Sequence, residues 1–290
     1  EERLIFGGDH LGPLVWSAEE EEAAMEKAEA LVRAYAAAGV QKIHIDASMR
    51  LGSDDPQAPL DPAVVARRAA RLCRAAEEAR PEGELPLYVV GSEVPIPGGA
   101  TEAEEGISVT RGEDLRTEYE LFKSAFLRQG LDDAWTRVIA VVVQPGVEFG
   151  DDQVFLYNRS NAAELIACAR TLEGIVLEGH STDYQSARAL REMREDGIAI
   201  LKVGPALTYA FREALFALER IEREMNPCAP AGGYSDFSAV LDRVMCQNPG
   251  NWIKHYHGEP YRVALRRKYS LSARSRYYLD NPEVQDATRR

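Results

Sequence analysis

The chain has 290 residues, 45% of them hydrophobic and 28% charged, and 34 Lys+Arg against 47 Asp+Glu give it a formal charge of −13. That composition excludes a wholly disordered chain and provides enough apolar side chains for a sizeable core. So negative a chain repels a phosphate backbone, which excludes nucleic acid and anionic membrane surfaces as expected partners.

The chain opens in a predicted strand, Leu4 to Gly8, with Asp9 and His10 following two glycines that would let a ligand approach the backbone. An Ala-, Glu- and Lys-rich helix is expected over Ala23 to Ala38, with Ser17 as its N-cap and Gly39 as its stop. Lys42 to Asp46 reads as the second strand, and Pro62 then opens a helix through Ala79. Leu87 to Gly91 and Val138 to Gln144 are the third and fourth strands, separated by a helix from Arg116 to Arg128 that stops at Gly130. Ser160 is positioned to cap a helix over Ala162 to Leu172. The last two strands are Ile175 to Glu178 and Ile198 to Gly204.

Strict β/α alternation implies parallel strands, either in an open doubly wound sheet or in a closed barrel. Charged or hydrogen-bonding residues end nearly every strand, which favours a ring of function and so the TIM (β/α)8 barrel. Only six strands can be counted, so the first two strand–helix units are expected to be missing ahead of Leu4. Residues 1–225 are then barrel strands three to eight with their helices. Residues 226–290 are a Pro/Gly/Ala-rich linker, a helix over Asp236 to Cys246 and a C-terminal helical extension packed on the barrel. Arg262, Arg266, Arg267, Lys268, Arg274 and Arg276 make the extension the one basic region, a solvated or subunit-packing face or a phosphate-recruiting flap.

The longest aliphatic run, Val138 to Val143, falls far short of the ~20 residues that cross a bilayer. No signal peptide is visible, so a cytoplasmic protein is expected. Cys73, Cys168, Cys228 and Cys246 form no Cys-x-x-Cys pair and are expected as buried reduced thiols.

Side chains alternate along a strand. In Lys42-Ile43-His44-Ile45-Asp46, the isoleucines should face the outer helices while His44 and Asp46 point into the barrel near its top. Glu178 and His180 likewise share a face. His10, His44 and His180, three of five histidines, thus stand at strand ends with Asp9, Asp46, Glu93, Glu148 and Glu178 nearby. Mixed His and carboxylate ligands suit Zn²⁺ or another divalent first-row ion, which could polarise a carbonyl and stabilise an enediolate. Gly204 and Pro205 open a helix whose free N–H groups form an anion site, and Lys202 beside them could pair with a phosphate or form a Schiff base.

Six motifs resemble one family: Gly7-Gly8-Asp9-His10-Leu11-Gly12-Pro13, Lys42-Ile43-His44-Ile45-Asp46-Ala47-Ser48-Met49, Gly91-Ser92-Glu93-Val94-Pro95, Val143-Gln144-Pro145-Gly146-Val147-Glu148-Phe149, Gly179-His180-Ser181-Thr182-Asp183-Tyr184-Gln185 and Lys202-Val203-Gly204-Pro205-Ala206-Leu207-Thr208. From Leu4 to about Tyr278 the chain resembles the Z-type, non-catalytic subunit of class II D-tagatose-1,6-bisphosphate aldolase. The resemblance implies a TIM barrel, a place in galactitol and N-acetylgalactosamine catabolism, and a separate catalytic aldolase subunit that the protein stabilises and activates. It also implies a sugar phosphate ligand and an oligomeric assembly. Many such proteins carry a tagatose-6-phosphate kinase label, but the sequence has no Walker glycine loop and no kinase Asp-Phe-Gly or His-Arg-Asp motif. Other relatives resemble metal-dependent ketose or ketohexuronate 4-epimerases. On this resemblance Asp9 is the expected acid/base, and His10, Glu93 and His180 are the metal ligands supported by His44 or Asp46. Lys202 is a candidate catalytic group, and Gln144, Ser181, Asp183, Gly204 and Thr208 are the sugar-phosphate contacts.

Overall fold

The computed structural model describes residues 4–91 and 107–290. Its elements, in chain order, are β1 (Gly7–Leu11), α1 (Glu21–Ala37), β2 (Lys42–Ile45), α2 (Pro62–Ala79), β3 (Leu87–Val90), α3 (Gly112–Arg128), α4 (Asp132–Trp135) and β4 (Val138–Val143). A short hairpin of β5 (Glu148–Phe149) and β6 (Val154–Phe155) follows, then α5 (Ala163–Ala169), β7 (Val176–Gly179), α6 (Ala187–Glu195), β8 (Ile198–Leu201) and α7 (Ala206–Met225). The extension contains α8 (Phe237–Gln247), α9 (Pro260–Tyr269) and α10 (Pro282–Arg289).

The six long strands pair in the order β1-β2-β3-β4-β7-β8, all parallel, as the β/α alternation predicts. In a flat sheet the four intervals from β1 to β7, at ~4.8 Å each, would hold His10 and His180 roughly 19 Å apart. Their ring centroids are 5.1 Å apart. The sheet is therefore curled into a parallel half-barrel, with β1 and β8 as unpaired edges among the described residues.

Each helix that covers the sheet does so through a stripe of small or apolar residues. Helix α1 buries Ala24, Met25, Ala28, Val32 and Ala36, and α3 buries Leu115, Tyr119, Phe122 and Phe126. Helix α2 starts where expected, with Pro62 in its first turn and the Asp61 carboxylate accepting from the Ala63 N–H at 2.8 Å. Inside the curl, Val89, Ala140 and Val142 form an apolar floor with Ile139 and Ile200 packed on it. A separate cluster fills the extension: Phe216 of α7 meets Phe237, Leu241, Val244, Met245, Trp252, Tyr256 and Tyr278. Asp151, beside the hairpin, ties this extension to the half-barrel: its carbonyl accepts from Leu271 N–H at 2.8 Å, and its carboxylate accepts from Ser270 Oγ at 2.7 Å and Arg266 Nε at 3.2 Å.

Several local expectations shift. The first strand is Gly7–Leu11, not Leu4 to Gly8, so Asp9 and His10 lie within it. Its two glycines serve strand packing rather than ligand approach: a Cβ on Gly7 would lie 2.8 Å from the Lys42 carbonyl, and one on Gly8 would meet Leu11 and Tyr35. Neither Ser17 nor Ser160 caps a helix, because α1 begins after Glu20 and α5 after Ala162. All four thiols are free, but only Cys73 is buried, and Cys228 and Cys246 are exposed. The hairpin β5–β6 and helices α4 and α6 have no counterpart among the predicted elements, while α9 and α10 fall within the expected helical extension.

Candidate functional site

Beside the apolar residues of β3 and β4, the inward faces of β2 and β7 are polar: His44 pairs with Val89, and Glu178 with Val142. Strand β2 contributes Lys42 and His44, with Asp46 just beyond it; β7 contributes Glu178, with His180 after it; Lys202 follows β8; Asp9 and His10 come from β1. Alternation explains the selection, since residues two apart share a face. His10 reaches the site through a left-handed backbone, φ 52°, at the irregularity in the β1–β2 pairing.

The three imidazoles gather with centroids 4.8, 5.1 and 5.5 Å apart, and each offers a nitrogen within 4.8 Å of the other two. Each ring is also held from its opposite side. His10 Nδ1 lies 3.1 Å from Asp46 Oδ2, His44 Nε2 lies 3.0 Å from the Gly91 carbonyl, and His180 Nε2 lies 2.9 Å from Glu178 Oε1. These partners are acceptors, so each tied nitrogen donates, and the lone pairs fall on His10 Nε2, His44 Nδ1 and His180 Nδ1. An acceptor fixing the far nitrogen is the usual outer partner of a metal-binding histidine, so the donor set fits a divalent ion.

Two lysines balance the carboxylates. Lys42 Nζ donates to Asp9 Oδ1 at 2.8 Å and lies 3.5 Å from Glu178 Oε2. Lys202 Nζ donates to His10 Nε2 at 2.9 Å and to His44 Nδ1 at 3.1 Å, and lies 3.5 Å from Glu178 Oε1. Burial opposes ionisation of Asp9, yet the Lys42 hydrogen bond and the charges on Lys202 and Lys42 outweigh it and hold the carboxyl below its ordinary range. Against the same burial cost, hydrogen bonds from His10 and Ser48 bring Asp46 down to about 2. The His180 hydrogen bond and the nearby His44, Lys42 and Lys202 groups bring Glu178 to about 2 as well. Burial, joined by the Lys202 charge, lowers His44 to about 4, and burial also lowers His180. Burial lowers Lys202 too, while Glu178 and Asp9 work against the shift. The result is a set of ionised carboxylates beside His44 and His180 held neutral, with Asp9 and His10 about half exposed at the mouth.

The structure thus brings together Asp9, His10, His44, Asp46, His180 and Lys202. Glu93 lies outside the described residues. Gln144 is buried after β4, and its side-chain oxygen accepts from the N–H groups of Gly146 and Val147 at 2.7 and 2.9 Å, shaping that turn. Asp183 and Gly204, expected to contact phosphate, bind each other: the Asp183 carboxylate accepts from Gly204 N–H at 3.0 Å and from Ala206 N–H at 2.9 Å. The start of α7 therefore carries its own anion, where free N–H groups had been expected. Thr208 Oγ1 turns back to the Pro205 carbonyl at 2.9 Å. Ser181 follows His180 with a left-handed φ of 51°. Two contributors lacked an assigned role. Lys42 shares the inward face with His44 and Asp46, so the same alternation would have found it. Glu178 shares a face with His180 in the sequence pattern, but its part in orienting that ring is visible only in the fold.

The sequence model of the family described as D-tagatose-1,6-bisphosphate aldolase subunit GatZ/KbaZ-like matches residues 1–290. Among curated proteins, the D-tagatose-1,6-bisphosphate aldolase subunit GatZ of Klebsiella pneumoniae is 48% identical over 288 residues, which are 99% of this chain and 67% of that protein. The D-tagatose 6-phosphate 4-epimerase of Agrobacterium fabrum is 47% identical over 287 residues, 98% of this chain and 66% of that one. Among solved structures, a chain described as a probable tagatose 6 phosphate kinase from Sinorhizobium meliloti superposes with a TM-score of 0.86 at 42% identity, covering 98% of this chain and 68% of its own. The chain spans about two thirds of the length of each of these relatives. The chain belongs to the D-tagatose-1,6-bisphosphate aldolase subunit GatZ/KbaZ-like family.

Proposed function

From that membership we propose that the protein is a component of a class II tagatose-1,6-bisphosphate aldolase, acting in tagatose 6-phosphate catabolism by stabilising and activating a separate catalytic subunit. The family match over the whole chain, with an aldolase subunit 48% identical, carries this reading. Mixing the protein with its catalytic partner should raise aldolase turnover and the thermal stability of the pair; no change in either would sink the reading. In the architecture that goes with it, two further strand–helix units join β8 to β1 and close an eight-stranded barrel. Residues 1–225 then belong to the barrel and 226–290 to the linker and the extension packed on it. The two unpaired sheet edges support this closure.

A second reading, intrinsic 4-epimerisation or aldol cleavage of a ketose phosphate, is favoured by the three imidazoles and by the epimerase name of the 47% identical relative. In a 2-ketose the C4 hydroxyl lies β to the carbonyl, so removing its proton starts both C3–C4 cleavage and, if the aldehyde turns before rejoining, inversion at C4. One pocket can therefore serve either reading. His10, His44 and His180 would hold a divalent ion, Zn²⁺ by the chemistry of its donors, which when bound would polarise the substrate carbonyl. Asp9, ionised and open to the mouth, would take the C4 hydroxyl proton and return it. Lys42 would keep Asp9 ionised, while Asp46 and Glu178 hold His10 and His180 in the required tautomers. Chelator-stripped protein with His10→Ala and His180→Ala should bind no divalent ion and convert no tagatose phosphate; turnover retained in that double variant would remove the reading.

A further inference from the structure

Resting on the reading of the three imidazoles as a metal site, we infer that Lys202 is an internal placeholder cation, seated on the histidine lone pairs in the metal-free protein and displaced when an ion enters. The ammonium lies 2.9 Å from His10 Nε2 and 3.1 Å from His44 Nδ1. These are the two nitrogens that the Asp46 and Gly91 contacts leave as acceptors. Such spacings suit N–H···N hydrogen bonds and exceed by roughly 1 Å the ~2.0–2.1 Å of a Zn–N bond. The imidazoles are thus set at ammonium spacing, and each lone pair can serve the lysine or an ion but not both. Two cations sharing these nitrogens would also stand a few ångströms apart in a largely buried site, where like charges repel strongly.

The lysine has somewhere to go. Glu178 Oε1 is 3.5 Å and Asp9 Oδ1 3.9 Å from Nζ, already inside ion-pair reach. A four-carbon stem with rotatable donors can swing to them without moving β8. The displaced ammonium would then stand beside Asp9 at the mouth, facing substrate. Lys42 makes no such contact with the imidazoles; its ammonium is committed to Asp9 and Glu178.

The test compares divalent-ion affinity of the chelator-stripped full chain with that of Lys202→Met and Lys202→Arg, by calorimetric titration with Zn²⁺ and by the visible absorption of Co²⁺. Lys202→Met removes the competing donor and should bind ten-fold or more tightly, while its metal-free form should melt at a lower temperature than the wild type. Lys202→Arg keeps a cation on the lone pairs and should bind no more tightly than wild type. Stoichiometric binding with equal or weaker affinity in Lys202→Met overturns the placeholder while leaving the metal site standing. No ion bound by any of the three proteins overturns both.

Discussion

Helices α1 and α3 differ sharply from α7, although all three flank one curled sheet. The first two bury their apolar stripes, including Met25, Val32, Phe122 and Phe126. Helix α7, the longest of the described helices, buries only Arg212 and Phe216, and leaves Leu207, Phe211, Leu218, Ile221 and Met225 at 50–76% exposure. Those five exposed residues fall on one face at helical spacing. Apolar character is therefore not what separates the helices, and neither is an edge strand, since α1 follows β1 as α7 follows β8. Their neighbours differ: α1, α2 and α3 pack side by side and α3 also packs on α5, whereas α7 packs on α8 of the extension and its outer stripe is left uncovered among the described residues.

Substitutions at four positions separate the covered helices from the uncovered one. The largest effect is expected at Phe126, fully buried against Trp135: Phe126→Ala should cost about 3–5 kcal/mol in chemical denaturation. Next is Asp183, whose carboxylate holds the opening of α7. Asp183→Ala should cost about 2–3 kcal/mol, and Asp183→Asn less, because the amide oxygen can still accept. Then comes Glu118 on α3, which burial, helped by the Asp114 charge, pushes up to about 7. Its folded value is raised, so the fold binds more protons than the unfolded chain, and stability is lost as pH rises from about 4.5 through 7. Glu118→Gln should raise the melting temperature at pH 8 and leave it unchanged at pH 4; equal gains at both would show that ionisation is not the cause. The smallest effect is expected on the exposed stripe, where Leu218→Ser should change stability by no more than about 0.5 kcal/mol. A large loss there would mean that the stripe is covered in solution, and sedimentation of wild type and variant would show by what stoichiometry.

The fold was legible because parallel strands announce themselves twice, by β-branched runs and by the helices between them. What sequence could not supply was long-range pairing. The sequence pattern ends the first strand at Gly8, since aspartate disfavours strands, yet pairing with β2 carries the strand through Asp9 and His10 to Leu11. In the site, alternation was enough to find His44, Asp46 and His180. The same rule puts Lys42 on that face, a residue the sequence reading passes over, and its purpose becomes visible only when Asp9 arrives from a different strand at 2.8 Å. The start of α7 looked like an empty anion site for a similar reason: its occupant, Asp183, is more than 20 residues earlier in the chain.

The separation of the extension's apolar cluster from the core between sheet and helices has a spectroscopic consequence. Of the chain's three tryptophans, Trp135 sits edge-on to Tyr119 and Phe126 under the sheet. Trp252 lies in the extension, its indole N–H donating to the Met245 carbonyl at 2.7 Å beneath the Arg267 guanidinium. Each cluster therefore carries its own fluorophore in a distinct electrostatic setting, one among aromatic rings and one under a cation. Proteins retaining only Trp135 or only Trp252 report separately, by emission wavelength and intensity, on the sheet and on the cap that Asp151 ties to it.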